Sequence, residues 1–241
     1  MTNGNRFRRI ALGVAGAAMT LCLAMGAHAQ SVMQSVTVRV EPGQMATYLD
    51  RVGALQGVLD RAGSGGKVAV WNADFAGSRA GTTLVGVSFP SLAAYAESTT
   101  KTNADPEWQK IMSGLGDIRT VVSTALLVSR DGGALAPPAA GSVLQGVIVR
   151  ANPGQGDAYE AKLDALRKVQ KRLGTSGDMR VWRISVGGET AGSYAVGIIY
   201  PNLAAWAADS QKVQADAEGA EIFASLDGLR TVMSISLFTA Q

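Results

Sequence analysis

Cysteine and histidine are nearly absent from this sequence of 241 residues, which contains one of each. Both residues, Cys22 and His28, fall within the first 29 positions. Without that segment, no side chain supplies a thiol or an imidazole. The remaining chain therefore excludes Ser-His-Asp and Cys-His catalysis, histidine-ligated haem and ordinary zinc sites. We expect no disulfide, no metal and no cofactor.

The first 29 residues have the pattern of a secretory signal peptide. Three arginines within the first nine residues are followed by an apolar run over 10–25 and by the small-x-small sequence Ala27-His28-Ala29. The apolar run is shorter than the ~20 residues that a membrane-spanning helix needs. We expect cleavage after Ala29, export to the periplasm as a secreted protein, and no membrane contact after cleavage.

The excess of positive charge also belongs to this segment. It holds three of the 22 Lys and Arg residues but none of the 19 Asp and Glu residues, so the rest of the chain is formally neutral. A strongly basic chain would suggest nucleic acid or an anionic membrane as partner. A neutral chain does not, and we expect no nucleic-acid partner.

The chain contains a duplication. Residues 31–130 align without a gap to residues 142–241, and 39 of the 100 aligned pairs are identical. The stretch between them, 131–141, is rich in Gly, Pro and Ala, which is typical of a linker. Each copy has a normal size for one domain. We predict a first α+β repeat over 30–130, a linker over 131–141 and a second repeat over 142–241.

Each copy has the periodicity strand, helix, strand, strand, helix, strand. Valines alternate with polar residues over 34–40, which indicates a half-buried strand. Pro42 and Pro153 suit the first turn of the next helix, with Asn152 and Gln155 close to a capping box. Tyr48 begins a series of apolar residues at helical spacing.

Local signals also mark the other helix ends. Gly63 and Gly174 are expected at helix C-termini. Ser91 and Asn202 precede the second helix of each copy and are expected to cap it. An acid-x-acid pair, Asp105 and Glu107 in the first copy, suggests either a divalent cation or a helix start. Two acids are too few for a closed calcium site, so we favour the helix start.

This order of elements predicts an antiparallel sheet with its helices on one face, a ferredoxin-like unit. The other face is apolar and must be covered, and the second copy is the simplest cover. We therefore predict an α+β protein with two tandem ferredoxin-like units packed sheet to sheet in one intramolecular barrel. The alternative is a homodimer in which each unit pairs with another chain.

Two groups of motifs resemble the dimeric α/β barrel superfamily, which includes antibiotic-biosynthesis-type monooxygenases and NIPSNAP-like proteins. They are VRVEPGQ and VRANPGQ at the first helix, and VSFPSLAAYAES and IIYPNLAAWAAD from strand to second helix. The resemblance covers both copies and implies the fold. Members of this superfamily include cofactor-independent oxygenases, haem enzymes and proteins without a known reaction, so the resemblance implies one of these roles. The haem branch uses a histidine ligand that is missing after residue 29.

Several polar and aromatic residues have the strand parity that we expect to face the barrel lumen. Six of them form three pairs that occur in both copies, and a seventh occurs only in the second: Arg39 and Arg150, Trp71 and Trp182, Arg119 and Arg230, and Arg180. Tryptophan rings suit a planar ligand, and guanidinium groups suit a carboxylate or enolate. The alternative is structural: tryptophans fill space, and arginines pair with acids or reach water at strand ends.

These residues predict an exported protein that binds a small aromatic or anionic molecule in the barrel lumen without catalysis. The alternative is a cofactor-independent monooxygenase or isomerase that acts on an activated phenol or an enolizable substrate. In that case an arginine, Arg39 or Arg150, stabilises the substrate anion. The sequence does not identify the ligand or the working copy.

Overall fold

The structure is a computed structural model that describes residues 30–132 and 136–241. The predicted signal peptide, 1–29, lies outside the described residues. The strands are β1 (Val32–Val40), β2 (Lys67–Phe75), β3 (Thr83–Phe89), β4 (Arg119–Ser129), β5 (Val143–Ala151), β6 (Asp178–Val186), β7 (Tyr194–Tyr200) and β8 (Arg230–Ala240). The helices are α1 (Met45–Ala62), α2 (Leu92–Asn103), α3 (Pro106–Gly116), α4 (Gly156–Arg172), α5 (Leu203–Ala215) and α6 (Ala217–Ser225). The predicted α+β class is confirmed.

The eight strands form a closed antiparallel barrel in the order β1-β3-β2-β8-β5-β7-β6-β4. The helices pack on its outside. In the second copy, Tyr159 and Leu163 of α4 are buried with Val149 of β5 and Val181 of β6. The first copy has an equivalent core around Tyr48 and Val38. None of the helices in the described ranges is long and apolar enough to cross a bilayer.

Two seams join strands of the first copy to strands of the second. In one, β2 pairs with β8 from Trp71 opposite Ala240 to Phe75 opposite Leu237. In the other, β4 pairs with β6 over 126–129 and 182–186. The barrel thus closes through hydrogen bonds between strand edges within a single chain.

The Pro-Gly sequence that precedes α1 is a turn, so the predicted helix start at Pro42 is wrong. The Gln44 amide donates to the Glu41 carbonyl at 3.0 Å, and Gly43 has a φ of 78°. Proline followed by a residue with positive φ is typical of a type II turn. The helix therefore begins at Met45.

The second copy corrects the predicted cap in the same way. The Asn152 side chain does not cap α4 but donates to the Gly228 carbonyl at 3.0 Å. Gln155 occupies the cap position without a side-chain cap bond.

The other predicted helix ends are confirmed. Ser91 accepts from the Ala94 amide and Asn202 from the Ala205 amide. Asp105 accepts from the Glu107 and Trp108 amides at the start of α3. Glycines with positive φ end the first helices, with Gly63 at the cap of α1 and Gly174 just after the cap of α4.

An ion-pair network ties the end of β4 to the second copy. The Arg130 amide donates to the Val181 carbonyl at 2.9 Å. Its guanidinium donates to Glu160 at 2.6 Å and, through two nitrogens, to both oxygens of Asp164 at 2.8 Å. Asp131 accepts from the Val181 amide at 2.8 Å. A bidentate pair of this kind orients two elements as well as attracting them.

We expect Arg130→Ala to lower the free energy of unfolding by about 1–2 kcal/mol, because three partly exposed ion contacts are lost at a seam. Hydrogen bonds from Arg130 lower the pKa of Asp164. That part of the stability is therefore present above the ordinary carboxyl pKa and is lost as the pH falls through the lowered value. Urea unfolding of both proteins from neutral pH to about pH 2 should show the difference shrinking in acid.

Arg172→Ala is the matched control, because Arg172 also binds two acids, Asp216 and Glu218, but within one copy and on an exposed surface. We expect it to lower the free energy of unfolding measurably less than Arg130→Ala does, because ion pairs on an exposed surface are screened by water. An equal loss in both variants would contradict a special role of the network at the seam.

Candidate functional site in the barrel lumen

The barrel encloses a cavity of about 510 Å³. This volume is within the range of small-molecule sites. All eight strands contribute to its wall, and Ala136, Pro137 and Pro138 of the predicted linker contribute where β4 leads into β5. The opposite end of the barrel carries the β2–β3 and β6–β7 hairpins, from which Arg79, Glu189 and Thr190 join the wall.

Trp71 and Trp182, two of the predicted site residues, line this cavity and are each 5% exposed. Trp71 lies in an apolar cluster with Phe238, and Trp182 in another with Leu127. The rest of the wall combines large apolar side chains with several small residues: Ser35, Ala69, Gly86, Ala125, Gly146 and Gly197. Large rings beside small residues give a lumen that is open and mostly apolar.

Three of the described wall residues carry a charge: Lys67, Arg79 and Glu189. Lys67 is 3.6 Å from Asp60, and Glu189 is exposed. Arg79 is partly buried, and no carboxylate of the described residues lies within 4.0 Å of it. Its Nη2 donates to Ser234 Oγ at 3.2 Å and to Ser236 Oγ at 3.1 Å.

Sequence reasoning missed Arg79 because that reasoning favoured residues present in both copies. Arg79 lies in a short 3-10 helix, Gly77–Arg79, of the β2–β3 hairpin. The equivalent residue of the second copy is Thr190. Its serine partners lie on β8, more than 150 positions away. The sequence signal that could have identified Arg79 is a cation at a hairpin in only one of the two copies.

Arg119 and Arg230, predicted to face the lumen, lie instead against the helix-side core. The Arg119 guanidinium is 5.9 Å from the centre of the Tyr48 ring, and Arg230 is 5.8 Å from that of Tyr159. Burial raises the pKa of both tyrosine hydroxyls, and the positive charge of the arginine opposes this effect.

Register shifts explain these positions. Thr37 pairs with Ser123 but Val38 pairs with Val121, so Val122 is an extra residue in β4. Met233 is the extra residue at the same place in β8. Side chains alternate between the two faces of a sheet along a strand. One extra residue therefore moves the side chains that precede it in that strand, here Arg119 and Arg230, to the opposite face of the sheet.

The other three predicted arginines do not line the cavity. Arg39 and Arg150 lie near the ends of β1 and β5 and are exposed. Arg150 donates to the Glu189 carbonyl at 2.6 Å. Arg180 pairs with Asp178 at 3.0 Å. Of the seven predicted residues, the structure brings together in the cavity wall only the two tryptophans.

The described residues contain no group of three or more His, Cys, Asp or Glu side chains that could hold a metal ion. The acid pair Asp105 and Glu107 instead binds Arg61. Since the only histidine of the sequence is His28, the lumen residues do not fit a histidine-ligated haem.

Comparison with known proteins gives structural likeness at low sequence identity. A protein from Lactobacillus acidophilus named as a monooxygenase superposes with a TM-score of 0.61 and 9% identity, over 88% of this chain and 93% of that one. An anthrone oxidase-like protein gives a TM-score of 0.51 and 14% identity, over 88% and 91%. A chlorite dismutase from Candidatus Nitrospira defluvii gives 0.55 and 10%, over 88% and 90%. No protein-family model and no curated protein matches the sequence.

The fold is that of the dimeric α/β barrels. At these identities the likeness concerns the fold alone, and the site must be argued from its own residues. The similar structures include proteins named as enzymes.

The close packing of Trp182 gives a prediction about the lumen wall. A Cβ atom added at Gly197 would be 3.1 Å from the Trp182 ring and from Leu144 Cδ1. We expect Gly197→Ala to lower the free energy of unfolding by about 1 kcal/mol, because a rigid ring must move. Urea unfolding measures the loss of stability, and a change in tryptophan emission relative to the unmodified protein reports the shift of the ring.

Gly86→Ala is the control, because Gly86 is the equivalent residue of the first copy. A Cβ atom there would meet only the flexible Met33 side chain, 3.3 Å from its sulfur. Both substitutions reduce the conformational entropy of the unfolded chain by the same amount. The difference between their free energies of unfolding therefore isolates the contact with Trp182. Equal free energies of unfolding for the two variants would contradict the prediction, because the Trp182 ring would then move without cost.

Proposed function

We propose that this protein binds a small planar aromatic molecule in the barrel lumen, without catalysis. The observation that supports this most is a cavity of about 510 Å³ with Trp71, Trp182 and several small residues in its wall. Indole rings stack on planar ligands, and glycine and alanine leave the space for one. Export to the periplasm, predicted from residues 1–29, is part of the same proposal.

Quenching of tryptophan fluorescence by naphthalene derivatives and quinones tests this proposal, with thermal stabilisation as a second measurement. Ser35→Phe should weaken binding by about tenfold or more, because Ser35 lies in the wall between its strand partners Gly86 and Ala125, and a phenyl ring there takes up space that a ligand needs.

Lys110→Phe adds the same side chain to an exposed position of α3 and should bind as the unmodified protein does. Binding that Ser35→Phe leaves intact, or the failure of every compound to bind, would sink the proposal.

A second candidate function is cofactor-free oxidation of an activated phenol or an anthrone-type substrate in the same cavity. The likeness to structures named as a monooxygenase and as anthrone oxidase-like favours it. In such a reaction the substrate loses a proton, and its carbanion reacts with O₂. Conversion of a methylene to a carbonyl consumes one O₂ and releases one water.

Oxygen uptake with hydroquinones and anthrone tests the second candidate. If the reaction takes place in the lumen, Ser35→Phe should reduce the rate by about tenfold or more while Lys110→Phe leaves it unchanged. A rate equal to that of the protein-free solution would exclude oxidation of these substrates and leave the binding proposal standing.

A further inference from the structure

We propose that Arg79, Ser234 and Ser236 form an anion subsite in the lumen that binds the carboxylate of an aromatic monocarboxylic acid. This inference rests on the proposed binding function and specifies the ligand class. It assigns one end of the cavity to the charged group and the rest to the ring system.

The geometry of Arg79 supports the subsite. Its Nη2 binds the two serine hydroxyl groups, which fixes the plane of the guanidinium. Arginine has five N–H donors in a rigid fork, so donors remain for a ligand. Ser236 is 3% exposed and lies in the cavity wall. Because the serine oxygens accept from Arg79, each hydroxyl can still donate a hydrogen bond to an anion.

The charge balance of the wall also favours an anion. No carboxylate of the described residues lies within 4.0 Å of the Arg79 guanidinium, whereas Lys67 is already near Asp60. A partly buried cation without a counter-ion attracts an anion more strongly than one in water does, because the surroundings are less polar. A ligand carboxylate therefore supplies the charge that the protein does not.

The ring system has a defined place beside this subsite. Ser236 and Phe238 are two positions apart on β8, and both line the cavity. Phe238 belongs to the same apolar cluster as Trp71. A carboxylate at Arg79 thus leaves an attached aromatic ring against Phe238 and Trp71.

The subsite occurs once in the barrel. The residue equivalent to Arg79 in the second copy is Thr190, and the residue equivalent to Ser236 in the first copy is Ala125. The second hairpin also carries Glu189, the one acid among the described wall residues. A second carboxylate at that side would meet this acid, so the arrangement selects a monoacid in one orientation.

Titration calorimetry with 2-naphthoate and 2-naphthamide tests the inference, because the two probes share a ring system and differ in charge. We expect Arg79→Gln to weaken 2-naphthoate binding by about 10- to 100-fold, the value of a hydrogen-bonded charge. Binding of 2-naphthamide should change by no more than about twofold. Arg172→Gln, which removes a distant surface cation, should change neither.

Two further variants keep the test independent of any effect on folding. Ser236→Ala removes one hydroxyl and keeps the cation, and it should weaken 2-naphthoate binding by about 5- to 10-fold. The double variant Arg79→Thr, Thr190→Arg moves the cation to the other hairpin, and it should not recover the full affinity because Ala125 replaces Ser236 there.

The outcomes separate this inference from the proposed function. If both probes bind equally well and Arg79→Gln changes neither, the lumen binds aromatic molecules but the anion subsite is wrong. If neither probe binds the unmodified protein, the anion subsite is wrong, and the proposed function is overturned as well if the quinones also fail to bind. Selective loss of 2-naphthoate binding supports both.

Discussion

Hydrogen bonds between strands of different copies are the constraint on which this structure depends. Each copy alone has a sheet with two edges and an uncovered face. The β2–β8 and β4–β6 seams remove the edges over 71–75 and 126–129 and turn the uncovered faces into a lumen. The seams are short, so side chains beside them have a large influence on closure. The cavity exists because both seams form.

The two seams have diverged, although the copies that form them are related. At the β4–β6 seam, Arg130 binds Glu160 and Asp164 on the outside of the barrel. The first copy has Leu49 and Gly53 at the positions of those acids, so the other seam lacks this network. That seam has Arg79 with two β8 serines instead, where β2 turns into β3. One seam thus carries a structural ion pair, and the other carries a cation that faces the lumen.

The sequence predicted features that depend on local chemistry. Ser91, Asn202 and Asp105 cap helices because a side-chain oxygen before a helix binds its first free amides, whatever the rest of the fold does. Alternation placed Trp71 and Trp182 correctly in the wall. It placed Arg119 and Arg230 on the wrong face because a bulge changes the parity without changing the pattern of residue types. The predicted helix start at Pro42 is wrong for a related reason, because proline is as suitable in a turn as in the first turn of a helix.

The internal repeat does not mark Arg79, because the second copy has Thr190 at the equivalent position. Residues retained in both copies are those that the shared fold requires, such as a tryptophan in each half of the wall or an arginine over each buried tyrosine. A lumen formed by two equal halves would present the same groups twice and could hold an asymmetric molecule in two equivalent orientations. Discrimination between the two ends of such a molecule requires a difference between the halves. In a duplicated barrel, only positions where the copies differ on the lumen face can make that distinction. Arg79 and Ser236 form such a difference, because the equivalent residues of the other copy are Thr190 and Ala125.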